Sequence, residues 1–254
     1  MDVRADFARD LRAHKVVAGL FIKSTDPAVV EILGHIGFDF AILDAEHVAF
    51  DRADVARMAR AARAAQLPLL VRIPEPTAAW IATVLDAGCA GVMVPQVGSA
   101  AAARDLVRMM RYGAGGIGFS PSTPGAEYGT RGVAQHLARH PHETVLICQI
   151  EDLGAVAEAA TIAAVQGVDG LLLGPVDLCV SIGSADPASA EVTRLCQQAI
   201  IAGAGAGKAA GLFLTDLSQS TEWQKRGATI FLLGSDQAFM MGAAMAALNT
   251  FRSE

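Results

Sequence analysis

The chain has 254 residues, enough for one large domain or two small ones. Hydrophobic residues make up 52% and charged residues only 18%, a balance that excludes a disordered chain. The net charge is −6 and no Lys/Arg block or aromatic–basic array occurs, which argues against a nucleic-acid partner.

Residues 1–15 are charged throughout and lack the apolar stretch of a signal peptide. No apolar run reaches membrane-spanning length, so no membrane partner is expected and the chain reads as cytoplasmic. Cys89, Cys148, Cys179 and Cys196 form no CxxC pair, and buried free thiols are expected.

Short, nearly continuous apolar runs alternate with helix-length amphipathic segments. The first predicted strand, 16–22, leads past Lys23 to a helix at 26–36 that opens on Asp26-Pro27 and closes at Gly34. The second, 39–44, runs into Asp44, Glu46 and His47; the helix at 51–65 opens on Asp51. The third, 69–73, carries Arg72 and precedes a helix at 77–87 between Thr77 and Gly88. The fourth, 91–94, ends in Pro95-Gln96, and a helix at 98–111 opens near Ser99.

A Gly/Pro/Ser-rich insertion then occupies 112–145, the kind of long loop that is usually functional or mobile. The fifth strand, 146–150, brings Gln149 and Glu151 ahead of a helix at 152–165 and Gly167. The sixth, 169–173, ends in Gly174, Pro175 and Asp177; a second irregular stretch, 174–187, precedes a helix at 188–204. The seventh, 210–214, ends in Leu214-Thr215-Asp216 with a helix at 216–226 and Gly227. The eighth, 229–233, leads through Ser235 to a last helix, 236–248, opening on Asp236. That helix is apolar nearly all round, which predicts an oligomer interface or, failing that, burial under the N-terminal segment.

Eight strands alternating with eight helices over this length predict an α/β fold, a single (β/α)8 TIM barrel over 1–254. The competing doubly wound sheet would show a glycine-rich phosphate loop after its first strand, and none is present.

In such a barrel the C-terminal strand ends share one mouth, where active sites lie. Glu151 and Asp177 come from neighbouring strands with no basic residue close in sequence. A divalent ion with oxygen ligands would resolve their repulsion; alternatively each caps the helix that follows. His47 beside Asp44 and Glu46 is a candidate proton carrier or a surface loop histidine. Arg72 in the mouth wants an anion. His136 and His140 stand four apart, which reads as a solvated helix face, and His140-Pro-His142 reads as loop. Lys23 is the only lysine near the mouth, so a Schiff-base aldolase stays a minor reading.

The segments FDFAILDAEH (38–47), LPLLVRIPEP (67–76), GCAGVMVPQV (88–97), CQIEDLGAV (148–156) and VDGLLLGPVDLCVSIG (168–183) resemble, in this order, the HpcH/HpaI aldolase family. These are class II, metal-dependent pyruvate aldolases of the phosphoenolpyruvate/pyruvate barrel superfamily. The resemblance implies that Glu151 and Asp177 bind a divalent ion such as Mg²⁺, Mn²⁺ or Co²⁺. It implies that Arg72 contacts the pyruvate oxygen, and that His47 with Asp44 moves a proton through water. Gln149, Gly174, Pro175 and Leu214 would line the pyruvate or aldehyde pocket. The implied reaction cleaves or forms 4-hydroxy-2-oxo acids, giving pyruvate and an aldehyde through a metal-stabilised enolate. The implied assembly is a trimer or hexamer.

The sequence departs from the family in one segment. Arg111-Tyr112-Gly-Ala-Gly-Gly-Ile117-Gly118 lacks an arginine that members commonly carry between glycines, and the loop around it is expected to shape the distal substrate pocket. Two rivals share the barrel: a citrate-forming condensing enzyme or CoA-ester lyase using oxaloacetate and acetyl-CoA, and, more distantly, a non-catalytic ligand sensor.

Overall fold

The computed structural model describes residues 2–214 and 216–253; Thr215, named above at the end of the seventh strand, lies outside them. Eight parallel strands close on themselves in chain order: β1 (Val17–Ile22), β2 (Phe40–Asp44), β3 (Leu69–Arg72), β4 (Gly91–Val94), β5 (Val145–Ile150), β6 (Gly170–Leu173), β7 (Ala209–Phe213) and β8 (Ile230–Ser235). The predicted barrel is therefore the observed one.

The period-2 alternation of each strand separates two apolar layers. Phe40, Ile42, Leu70, Met93, Val145, Ile147, Leu172 and Leu232 fill the barrel interior. Ala41, Leu43, Val71, Cys148, Ile150, Leu171 and Leu173 face outward into the layer beneath the helices. Continued to the strand ends, the inward set of β2, β3 and β5 reaches Asp44, Arg72 and Gln149. The same register that packs the core thus delivers polar side chains to the mouth.

The surrounding helices are α1 (Val3–Arg12), α2 (Pro27–Ile36), α3 (Arg52–Ala64), α4 (Ala78–Asp86), α5 (Ala100–Met109), α6 (Val133–Glu143), α7 (Leu153–Ala163), α8 (Pro175–Ser181), α9 (Ala190–Gly205), α10 (Ser220–Lys225) and α11 (Asp236–Ser253). Asp26, Asp51, Thr77 and Ser99 accept N-cap hydrogen bonds, as their positions predict. Asp236 does not cap: its carboxylate turns back to the β1 loop, and Ser235 Oγ accepts from Ala238 N–H instead. Gly34 does not close α2 either. It lies inside the helix, where a Cβ would come within 2.7 Å of Ala65 O, and the left-handed C-cap is Gly37.

Two elements escape the sequence pattern. The charged N-terminus forms α1, whose short apolar stripe of Phe7, Ala8 and Leu11 joins the interior cluster, with Phe7 against Phe40 at 5.2 Å. The stretch 174–187 contains α8, whose seven residues are too few to show a helical period.

The 112–145 insertion links the end of α5 to the start of β5, so topology puts it on the N-terminal side of the barrel, away from the mouth. None of residues 113–131 lines the mouth cavity of its own barrel, contrary to the pocket role expected for this loop. It is pinned by charge instead: buried Arg131 reaches Glu143 at 2.6 Å and Asp2 at 3.2 Å.

His136 and His140 are buried, not solvated. Tyr112 Oη lies 2.9 Å from His136 Nε2, and His140 Nε2 lies 2.9 Å from Met110 O. His140, Pro141 and His142 belong to α6 rather than to a loop. No helix among the described residues is long and apolar enough to cross a membrane.

Nothing in α11 is buried, so the alternative of burial under the N-terminal segment fails. Phe239, Met240, Met241, Met245, Leu248 and Phe251 are all exposed.

Candidate active site

A cavity of about 260 Å³ opens at the C-terminal strand ends. Its walls include Phe21, Lys23, His47, Arg72, Gln149, Gly174, Pro175, Asp177, Phe213 and Ser235.

Asp44 and Arg72 are register partners on β2 and β3. Arg72 Nε and Nη2 reach Asp44 Oδ1 at 2.9 and 2.8 Å, and Lys23 Nζ lies 3.3 Å from Asp44 Oδ2. Arg72 Nη1 approaches Glu46 Oε2 at 3.2 Å and Gln149 Oε1 at 3.5 Å, while the guanidinium rests 4.4 Å from the centre of the Phe21 ring. Burial would raise the Asp44 carboxyl, but Arg72, the His47 N–H and Lys23 outweigh it and hold the group below its ordinary range.

Gln149 carries the chain of contacts onward by donating from Nε2 to Glu151 Oε1. The other Glu151 oxygen accepts from the Gln96 N–H at 2.8 Å. Gln96 holds a left-handed φ of 56° to aim that N–H, a strain of about 1 kcal/mol for a residue with a side chain. One polar line therefore crosses the mouth from Lys23 through Asp44, Arg72 and Gln149 to Glu151.

Burial pushes the Glu151 pKa up to about 7, with the Gln96 N–H opposing, Asp177 and Glu46 raising it further, and Arg72 opposing. Asp152, not Glu151, caps α7, and Asp177 makes no side-chain cap on α8. The helix-capping alternative for both carboxylates therefore falls away. Gly174 leaves the room Asp177 needs: a Cβ there would stand 2.5 Å from Asp177 Oδ2 and 3.4 Å from Gln149 Nε2.

This donor chemistry fits a small hard cation. Two hard carboxylates stand at adjacent strand ends, Asp177 in the cavity wall and Glu151 buried beside it with its pKa raised chiefly by that burial. Among the described residues no third His, Cys, Asp or Glu completes a cluster, so further positions would fall to substrate oxygens and water.

His47 is exposed at the cavity wall. Its link to Asp44 is a backbone one, N–H to Oδ1 at 3.2 Å, and its Nε2 lies 3.7 Å from Glu46 Oε2. The expected His47–Asp44 side-chain pair is thus replaced by a His47–Glu46 approach, because Arg72 and Lys23 occupy the Asp44 carboxylate. Leu214 also turns away: it is buried in the outer layer near Trp223, and its neighbour Phe213 takes the inward position. Ser235 lines the wall as its place at the end of the eighth strand predicts, whereas sequence reasoning missed Phe21 and Phe213, although extending the inward alternation of β1 and β7 identifies both.

The family model for HpcH/HpaI aldolase/citrate lyase matches residues 17–243. A hydroxypyruvate/pyruvate aldolase of Paraburkholderia phytofirmans is 33% identical, the match covering 92% of this chain and 93% of that protein. A crystal structure of an HpcH/HpaI aldolase/citrate lyase family protein from Burkholderia cenocepacia superposes with a TM-score of 0.91 at 29% identity, covering 98% of this chain and 99% of the other. Citrate synthase SbnG superposes with a TM-score of 0.87 at 27% identity, covering 97% of each chain. The chain belongs to the HpcH/HpaI aldolase/citrate lyase family and is an enzyme of the aldolase type.

Proposed function

We propose that this enzyme cleaves and forms 4-hydroxy-2-oxo acids, releasing pyruvate and an aldehyde, with a divalent cation held by Glu151 and Asp177. The observation that carries the reading is the polar line from Lys23 to Glu151, which sets a fixed guanidinium beside a carboxylate pair. When bound, the cation supplies a Lewis acid for the charge that develops on the 2-oxo acid.

Arg72 is held by Asp44, Glu46 and the Phe21 face, so its position costs no reorganisation as negative charge grows on the pyruvate half. Gln149, Gly174 and Pro175 line the same side and orient that half. In the cleavage direction His47 takes the proton of the C4 hydroxyl, directly or through a water, and the C3–C4 bond then breaks to give the aldehyde and the enolate of pyruvate. His47 then returns that proton to C3 of the enolate on the same face, its Nε2 lying 3.7 Å from Glu46 Oε2.

The test is pyruvate release from a panel of 4-hydroxy-2-oxo acids, with EDTA and with added Mg²⁺, Mn²⁺ or Co²⁺. Metal-restored release is expected; release that is indifferent to EDTA would remove the cation from the reading. The resemblance to a citrate synthase supports one second reading, condensation of oxaloacetate with acetyl-CoA. Consumption of acetyl-CoA in the presence of oxaloacetate separates the two.

Two further assignments belong to this proposal. The enzyme works in the cytoplasm, where its four buried free thiols stay reduced. It assembles as a homo-oligomer through the apolar surface of α11.

A further inference from the structure

We propose that the N-terminal face of the barrel carries a second binding site, for a small organic carboxylate with an apolar body, in which Arg63 is the anion-binding group. The site lies apart from the mouth and does not depend on the reaction assigned there.

A cavity of about 360 Å³ opens between the start of α1, the C-terminal half of α3 and the insertion. Leu67 and Leu69 reach it from the start of β3, and Gly88 and Cys89 from the turn before β4. It therefore stands at the end of the barrel opposite to Asp44 and Arg72. Ala59, Ala62, Leu67, Leu69 and Cys89 are buried and give it an apolar floor. Burial pushes the Cys89 thiol up to about 12, so the thiol stays neutral and belongs to that floor.

The rim carries Asp2, Arg4, Arg63, Glu127 and Arg139, and its charges do not balance. Arg4 reaches Asp2 at 2.9 Å and Glu143 at 3.0 Å, and Arg139 reaches Glu143 at 2.6 Å. Arg131, behind the rim, reaches Glu127 at 2.5 Å, Glu143 at 2.6 Å and Asp2 at 3.2 Å. The carboxylates of Asp2, Glu127 and Glu143 are thus all taken by Arg4, Arg131 and Arg139. Arg63 is left over. Among the described residues it meets no carboxylate, and its guanidinium lies 5.9 Å from the centre of the Tyr128 ring. Arg4 also keeps Nη1, because Asp2 and Glu143 occupy its Nε and Nη2. Arg4 and Arg63 both act on the Cys89 thiol, opposing its rise, so their two positive fields converge over the floor.

The backbone keeps this imbalance in place. Glu127 and Tyr128 hold left-handed φ values of 54° and 55°, conformations that persist only where the surroundings fix them. They turn Glu127 to Arg131 and the Tyr128 ring to Arg63, which leaves the Arg63 charge unmatched. A guanidinium without a counter-ion above an apolar floor matches an amphiphilic monoanion. The carboxylate pairs with the fork of Arg63, and the apolar body covers a floor that inorganic phosphate would leave wet.

The experiment is calorimetric titration of the full-length protein with benzoate and hexanoate, with their neutral counterparts benzyl alcohol and hexan-1-ol, and with inorganic phosphate. Arg63 has no ion pair to lose, so Arg63→Met is expected to melt with the wild type. Benzoate and hexanoate are expected to saturate one site per chain, at least about tenfold more tightly than the two alcohols or phosphate. Arg63→Met is expected to weaken the carboxylates at least about tenfold, and Arg72→Lys, in the mouth, to leave them unchanged. Absence of saturable binding overturns the site, as does a loss that follows Arg72→Lys in place of Arg63→Met. Alcohols that bind as tightly as the carboxylates overturn the anion role of Arg63, and phosphate that binds as tightly overturns the organic ligand class.

Discussion

Arg72 meets Asp44 with two nitrogens on a single oxygen, Nε at 2.9 Å and Nη2 at 2.8 Å, and the two residues are exact neighbours in the β2–β3 register. Both are buried. A pair of this kind fixes direction more than it adds stability, since burying both charges offsets much of their attraction. Removing one partner is a different matter. Arg72→Ala strands a buried carboxylate and should lower the unfolding free energy by about 3 kcal/mol in urea titration. It should also abolish both retro-aldol cleavage and pyruvate proton exchange, each by about 100-fold or more. Retention of either activity in the folded variant would remove Arg72 from the chemistry.

Glu151 gives the metal-free protein a distinctive pH response. Its folded pKa, raised to about 7, exceeds the ordinary value of 4.5. Between those values the folded state holds a proton that the unfolded state has released, so this group's contribution weakens as pH rises through that window. With EDTA present, Glu151→Gln should therefore remove a stability difference of at most about 3 kcal/mol between pH 5 and pH 8. Added Mg²⁺ or Mn²⁺ should stabilise the wild-type protein at pH 8 and leave Glu151→Gln nearly unmoved, as read from melting temperature. An equal shift in both proteins would show that the ion binds elsewhere.

The barrel was legible because parallel strands covered on both faces write themselves as short apolar runs, and eight such runs are present. The strand-end residues followed from the fold, since inward alternation carries Asp44, Arg72 and Gln149 to one mouth. What stayed hidden depended on three-dimensional competition. Asp44 lies next to His47 in sequence, but Arg72 and Lys23 claim its carboxylate from other strands. Leu214 ends an apolar run, yet the inward alternation of β7 falls on Phe213. The histidines of α6 look like a polar face until Tyr112 is packed on them from the insertion, which no spacing rule anticipates.

Those histidines give a second pH prediction of opposite sign. Tyr112 lies 4.6 Å from the His140 ring and 5.4 Å from that of His136, and Phe119 closes the cluster at 5.2 Å from Tyr112. Burial lowers the pKa of both histidines, with Arg131 adding to the effect at His136; the Met110 carbonyl opposes it at His140. A lowered folded pKa means that the stabilisation is complete above the ordinary 6.5 and is lost as pH falls below it. The loss approaches about 1.4 kcal/mol per pH unit for each histidine. In a Glu151→Gln background, which silences the opposing carboxylate, stability should drop between pH 6.5 and pH 5. Changing His136 and His140 to Gln should flatten that drop, and an unchanged slope would place the acid sensitivity elsewhere.

The last prediction concerns α11. Its 18 residues have no buried member, although Phe239, Met240, Met241, Met245, Leu248 and Phe251 give it apolar side chains around most of its circumference. A helix of this length spans about 27 Å. Left in water it would expose an apolar surface beyond what single soluble chains ordinarily carry. Ile32 and Ile36 at the C-terminal half of α2 are exposed as well, so the barrel offers apolar surface of its own for a second copy to cover. Sedimentation velocity should find the wild-type enzyme as an oligomer at micromolar concentration. Met241→Glu with Met245→Glu should shift it toward monomer, because each charge would have to be buried unpaired in the interface. Circular dichroism separates dissociation from unfolding, since the barrel helices outnumber α11 and keep their signal if only the interface is lost. A wild-type monomer, or an oligomer that tolerates both glutamates, would leave α11 without this role.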